Sequence, residues 1–226
     1  MSLIVKICGL SNPETLDVAL DAGADMVGFV FFAPSPRNIG FDAARALGEQ
    51  VRRHAQKVAL TVDADDALLE AVVEALHPDI LQLHGREPPA RVAALQNRFG
   101  VPVMKAIAVE TAADLTSIGA YAHVADRLLF DARPPRTATR PGGLGKSFDW
   151  RLLENLDPSL PFMLSGGLDA GNVGEAVRIT NAPAVDVSSG VERAPGVKDP
   201  DKIRAFVRAA RRAAAQTPMT AAASPP

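Results

Sequence analysis

Short apolar runs recur along the chain, each followed by an amphipathic or polar stretch. The runs are LIVKIC (Leu3–Cys8), MVGFVF (Met26–Phe31), KVALTV (Lys57–Val62), DILQL (Asp79–Leu83), VPVMKA (Val101–Ala106), RLLF (Arg127–Phe130), PFML (Pro161–Leu164) and AVDVS (Ala184–Ser188). Their starts lie 23, 31, 22, 22, 26, 34 and 23 residues apart, room for a strand, a loop, a helix and a second loop in each unit. Most runs are apolar on consecutive positions rather than alternating, the pattern of parallel strands covered by helices. Between them, Leu68, Val72, Val73 and Leu76 form one helical stripe. Val92, Leu95 and Phe99 form another, and Ile203, Phe206 and Ala210 a third. Asn12-Pro13 reads as an N-cap followed by proline in the first turn, with Gly23 near that helix's end.

Eight strand-then-helix units in one chain of this length predict a single-domain α/β fold, a (β/α)8 TIM barrel over residues 1–212. A doubly wound open sheet is the rival, but no G-x-G-x-x-G follows the first strand to support its dinucleotide-binding form. Residues 213–226, rich in Ala and Pro, are expected to be a disordered tail.

Composition narrows the function. The 226 residues carry 24 Lys+Arg against 26 Asp+Glu, a net charge of −2 that leaves no footprint for nucleic acid or an anionic membrane. Cys8 is the only cysteine, which excludes an intrachain disulfide and fits a reducing compartment. No apolar stretch approaches the ~18–20 residues that span a bilayer, and the N-terminus lacks signal-peptide character. A cytoplasmic protein is expected.

In a barrel of this kind the chemistry sits at the C-terminal ends of the strands. That rule selects Cys8-Gly9, Arg37, the His84-Gly85 pair, Asp131 and the loop 132–147, Ser165-Gly166-Gly167 and Ser188-Ser189-Gly190. Neighbouring Gly-rich loops after the last two strands either satisfy turn geometry or, as the pairing of the two loops favours, form a phosphate cradle of backbone N–H groups, Gly166, Gly167, Ser189 and Gly190. Cys8 is either a small core residue or, at the rim, a thiol able to remove a proton. Asp131 is either a cap or a partly buried acid. Arg37 suits a phosphate or carboxylate, or a surface loop; His84 suits a substrate contact or a structural hydrogen bond. His54, His77 and His123 have no ligand spacing, and no metal site is expected.

The motifs K-I-C-G-L (Lys6–Leu10), F-x-x-x-S-P-R-N-I (Phe31–Ile39), Q-L-H-G (Gln82–Gly85), L-F-D (Leu129–Asp131), G-G-L-G-K-S-F-D-W (Gly142–Trp150), L-S-G-G-L (Leu164–Leu168) and V-D-V-S-S-G-V-E (Val185–Glu192) together resemble phosphoribosylanthranilate isomerase. The resemblance implies the Amadori rearrangement of N-(5-phosphoribosyl)anthranilate to 1-(2-carboxyphenylamino)-1-deoxyribulose 5-phosphate in tryptophan biosynthesis. It implies Asp131 as general acid, Cys8 as general base, Arg37, His84 and Asp186 as substrate-binding residues, and no cofactor. The implied partner is a small phosphorylated substrate, and the chain is expected to act as a monomer, with a homodimer as the alternative. Leu144 stands where the family has a small hydroxyl residue, and the resemblance gives Arg133, Arg136 and Arg140 no role. Loop 132–147 is expected to be a mobile lid. The rivals are a different isomerase or lyase on a phosphorylated sugar, with Lys6 or Lys105 in its site, and a non-catalytic phosphometabolite-binding barrel.

Overall fold

A computed structural model describes residues 3–51, 55–135, 137–157 and 160–216. Eight parallel strands, β1 (Ile4–Cys8), β2 (Met26–Phe31), β3 (Gln56–Thr61), β4 (Ile80–Leu83), β5 (Val103–Val109), β6 (Arg127–Ala132), β7 (Phe162–Leu164) and β8 (Ala184–Val187), close into a barrel in chain order. β1 completes the ring by pairing with both β2 and β8. The helices are α1 (Pro13–Asp21), α2 (Phe41–Gln50), α3 (Asp66–Leu76), α4 (Pro89–Phe99), the short α5 (Ile118–Tyr121), α6 (Val173–Thr180) and α7 (Pro200–Gln216). After β8 a small antiparallel pair, β9 (Glu192–Ala194) and β10 (Val197–Lys198), precedes α7.

Local chemistry explains the element ends. Asn12 Oδ1 accepts from the Thr15 amide at 2.9 Å and Pro13 opens α1, as the sequence predicts. Asp65 caps α3 through the Leu68 amide at 2.8 Å. The buried stripe of α3 is Leu69, Val72, Ala75 and Leu76, rotated slightly from the predicted one, with Leu68 and Val73 only half-buried.

Three expectations are corrected. Among the described residues the sixth unit has no α-helix: between β6 and β7 only a 3-10 turn, Trp150–Leu153, stands in its place. Prolines 134, 135 and 141 and glycines 142, 143 and 145 deny that segment the backbone donors and rigidity a helix needs. β5 runs three residues beyond the expected end, so Lys105 lies inside the strand, not near its end. α7 continues to Gln216, with Ala213 buried on the same stripe as Phe206 and Ala210, so helix extends past the expected boundary at 212. Residues 217–226, His54 and Arg136 lie outside the described residues.

Alternation along the strands divides the core in two. The larger cluster lies between sheet and helices and includes Val5, Ile7, Val27 and Phe29. A second layer, with Met26, Val58, Ile80, Met104, Leu129 and Met163, fills the barrel's interior. Above it, toward the strands' C-terminal ends, the inward positions turn polar: Lys6, Gln82, Asp131, Ser165 and Asp186 are all buried. That change from apolar floor to polar roof positions the site.

Candidate active site

A cavity opens at the C-terminal end of the barrel. Cys8, Arg37, His84, Asp131, Asp186, Gly166, Gly167 and Ser189 all line it, so the fold gathers nearly every residue expected there from the sequence. Gly190 is next to this lining in the chain and packs under the preceding loop instead, as described below.

Cys8 ends β1 with its side chain inward and only 3% exposed. Its room comes from Gly28, the residue paired with it on β2, where a Cβ would lie 2.9 Å from Cys8 Sγ. Two residues earlier on the same face, Lys6 donates to Asp186 Oδ1 at 2.8 Å. Ser165 Oγ donates to the other carboxylate oxygen at 3.1 Å. Burial pushes the Cys8 thiol up from its ordinary pKa, while the nearby Lys6 and Lys198 cations pull it back. Burial also acts to lower the Lys6 pKa, but the charges of Asp186 and Cys8 outweigh it and hold the ammonium form.

Asp131 projects inward from β6, which stands three strands from β1 around the ring. Its Oδ1 accepts from the Ala132 amide at 2.9 Å, and Oδ2 lies 3.2 Å from His84 Nε2. The Gln82 amide nitrogen is 3.0 Å from His84 Nδ1. His84 thus bridges Gln82 and Asp131.

Arg37 is buried rather than a surface arginine. Its Nε and Nη2 form a two-pronged pair with Glu192 at 2.7 and 2.8 Å, and Nη2 also reaches the Gly143 carbonyl at 3.1 Å. Lys198 donates to Glu192 from the other side at 2.8 Å and to the Ser188 carbonyl at 2.9 Å. Burial alone would raise the Glu192 pKa, but the bonds from Arg37 and Lys198 hold it below its ordinary value.

The Gly-rich loops after β7 and β8 owe their glycines to close backbone packing. A Cβ on Gly190 would fall 1.9 Å from the Leu168 carbonyl oxygen, and one on Gly167 2.7 Å from the Ser147 amide nitrogen. Gly166 and Gly167 also hold φ of +86° and +65°. Among the described residues no hydrogen bond occupies the amide N–H of Gly166, Gly167 or Ser189. These donors rim the cavity where an anion would meet them.

Residues 5–209 match the model of the N-(5'-phosphoribosyl)anthranilate (PRA) isomerase family. The chain belongs to the PRA isomerase family. An N-(5'-phosphoribosyl)anthranilate isomerase of Bradyrhizobium sp. (strain ORS 278) is 68% identical over 213 residues, covering 94% of this chain and 97% of that one. That of Nitrobacter winogradskyi is 67% identical over 224 residues and covers 99% of both chains. Among solved structures, phosphoribosyl anthranilate isomerase from Thermotoga maritima has a TM-score of 0.84 at 34% identity, covering 93% of this chain and 99% of that one. A phosphoribosyl anthranilate isomerase in complex with reduced 1-(o-carboxyphenylamino)-1-deoxyribulose 5-phosphate has a TM-score of 0.81 at 32% identity, covering 93% and 99%.

The lysines that a different barrel enzyme would use are placed otherwise in this PRA isomerase. Lys105 turns away from the barrel, held by Glu87 at 3.0 Å and the Gly85 carbonyl at 2.8 Å. Lys6 is sealed beneath the cavity by Asp186 and does not line it. Sequence reasoning missed Lys6 as a partner of Cys8, although their spacing of two on a strand puts them on one face. It also missed Glu192, which stands at the end of a quoted motif, and Lys198. Among the described residues no helix is long and apolar enough to cross a membrane.

Proposed function

We propose that Cys8 and Asp131 are the general base and general acid of this PRA isomerase, which acts in tryptophan biosynthesis. The observation that carries the assignment is their position: both side chains face one cavity, from strands far apart on the ring, with unpaired backbone donors at its rim. The phosphate of the substrate binds the amides of Gly166, Gly167 and Ser189, with Gly190 fixing the loop beneath them. Asp131 protonates the ribose ring oxygen, the bond from C1 to that oxygen breaks, and an imine forms. Cys8 removes the C2 proton to give an enolamine, which takes a proton at C1 as the C2 hydroxyl becomes a ketone. Electrons and protons move within one molecule, so the reaction calls for neither a metal nor a redox cofactor. Asp186, fixed by Lys6 and Ser165, faces a sugar hydroxyl. His84 orients Asp131, and Arg37 offers its uncommitted Nη1 to the anthranilate moiety. Loop 132–147 is the lid over this assembly.

A cytoplasmic monomer completes the reading. Its lone thiol is kept reduced, and Phe41 and Val197 are the exposed large hydrophobic side chains among the described residues, too few for a large apolar interface.

The test follows the fluorescence of the anthranilate group with substrate generated in situ. Wild type should consume it, and Cys8→Ala or Asp131→Asn should each be slower by ~10²–10⁴-fold. Chromatography identifies the isomeric product. A folded wild type that binds sugar phosphates without turnover would leave a phosphate-binding barrel.

A further inference from the structure

After β8 the chain does not run straight into α7 but first turns through the hairpin β9–β10. That hairpin inverts the usual division of a small sheet. Its apolar Ala194 and Val197 are exposed, while two of its charged residues, Glu192 and Lys198, are buried. Such side chains are almost never fully buried unless paired. The hairpin therefore brings charge, not apolar packing, to the end of the barrel where the cavity opens.

Lys198 Nζ meets three acceptors, as many as an ammonium has protons to give. They are Glu192 Oε1 at 2.8 Å, the Ser188 carbonyl at 2.9 Å and Ser188 Oγ at 3.3 Å. Ser188 directly precedes Ser189, whose amide N–H has no partner among the described residues and stands at the cavity rim. Glu192 Oε1 also accepts from Arg37 Nε at 2.7 Å, so one carboxylate oxygen joins the hairpin's ammonium to the arginine after β2. Glu192 Oε2 accepts from the Gly196 amide at 3.2 Å. A Cβ on Gly196 would fall 2.4 Å from the Pro36 carbonyl oxygen, so the hairpin's turn lies against the residue before Arg37. The hairpin thus touches the loops after β2 and β8 at once. Among the described residues one buried carboxylate serves two buried cations, which leaves the cluster one positive charge in surplus.

We infer that Lys198 is a positioning residue for the isomerase, fixing the phosphate-binding loop through Ser188 and Arg37 through Glu192 so that the two ends of the substrate are held in register. The inference rests on the proposed function, which gives the rim amides to the phosphate and the free Nη1 of Arg37 to the anthranilate moiety. Lys198 does not line the cavity and acts only through the groups it holds. A side chain that fixes two loops from below converts binding at both ends into orientation at the reacting carbons between them. The surplus charge lies behind the Ser188–Ser189 loop, where the phosphate offsets it.

Two ligands read the register: inorganic phosphate, which fills one end of the site, and the reduced product analogue, which spans it. Lys198→Met leaves Arg37 and Glu192 as a balanced pair, so the barrel should stay folded. By calorimetry this variant should bind phosphate more weakly, and its preference for the analogue over phosphate should shrink about tenfold. Its kcat/KM should fall by about ten- to hundredfold, the scale on which small misplacements act. Lys198→Arg, which keeps the charge beside Glu192, should recover part of both losses. If Lys198→Met does not fold, Lys198→Gln carries the same test, because it keeps a donor for the Ser188 carbonyl without the charge. A role in stability alone would lower Tm and leave the ratio of the two affinities as in wild type, and that result overturns the inference. If wild type turns over substrate and the folded variant matches its kcat/KM and its affinity ratio, the isomerase stands and the role of Lys198 falls. If wild type neither turns over substrate nor binds either ligand, both fall together.

Discussion

Lys6 Nζ donates to Asp186 Oδ1 at 2.8 Å inside the barrel, two residues before Cys8 on the same face of β1. The lysine has no exposed surface, so its charge is felt nearly unscreened by the thiol above it. Burial raises the Cys8 pKa, and the Lys6 charge is the largest influence opposing that rise. Burial therefore favours the thiol form of Cys8, the proposed base, and a cation that does not line the cavity opposes it.

The rate should follow from that sign. In the proposed mechanism the reactive form is the thiolate, so kcat/KM should climb as pH rises through the thiol's pKa, above the ordinary value for cysteine. Replacing the pair together, Lys6→Met with Asp186→Asn, leaves no unpaired charge in the barrel. The double variant loses the stronger lowering influence and the weaker raising one, so its alkaline limb should move to higher pH. A pH–rate profile of wild type and variant checks it, and coincident limbs would remove Lys6 from the activation of Cys8.

Glu192 should matter to stability in a pH-dependent way. It is buried between Arg37 and Lys198, and Glu192→Gln leaves two buried cations without their counter-charge. Loss of one partner from such a group costs about 3 kcal/mol, roughly 6–12 °C in Tm for a chain of this size. The folded-state pKa of Glu192 is depressed, so its contribution is present above the unfolded-state value and lost as pH falls through the folded one. The gap in Tm between wild type and Glu192→Gln should be full at pH 7 and shrink in the acid range below the ordinary Glu pKa. A gap independent of pH would show that shape, not charge, explains the defect.

What the chain discloses in advance depends on how local the cause is. The strand runs are legible because a parallel strand covered on both faces must be apolar over consecutive positions, as β2 is. Asn12-Pro13 is legible because a cap and its helix are contiguous. The missing sixth helix was within reach of the prolines at 134, 135 and 141, but the regularity of the other units outweighed them. Lys6 was open to period-two reasoning once Cys8 was placed at the rim. The Arg37–Glu192 pair was not, since 155 residues separate partners that only ring closure brings together. Nor was the role of Gly190, whose missing side chain makes room for the Leu168 carbonyl from another loop.

Gly142 gives the sharpest test of the loop over the site. A Cβ there would fall 2.6 Å from Asp131 Oδ2 and 2.9 Å from His84 Nε2. The glycine therefore lets the backbone rest directly on Asp131, the proposed acid, and on His84. Gly143 continues the cover, its carbonyl held by Arg37 at 3.1 Å. Gly142→Ala should force the segment outward while leaving the barrel's two cores untouched, so Tm should change little. With Asp131 no longer covered, kcat should fall by about tenfold to a hundredfold, the scale on which small misplacements act. Hydrogen exchange supplies the independent readout. In wild type, binding of the reduced product analogue should slow exchange across residues 137–147, and in Gly142→Ala the same ligand should protect that segment much less. Equal exchange with and without the analogue in wild type would mean that the segment is a fixed wall, and a full kcat in Gly142→Ala would mean that its contact with Asp131 has no part in catalysis.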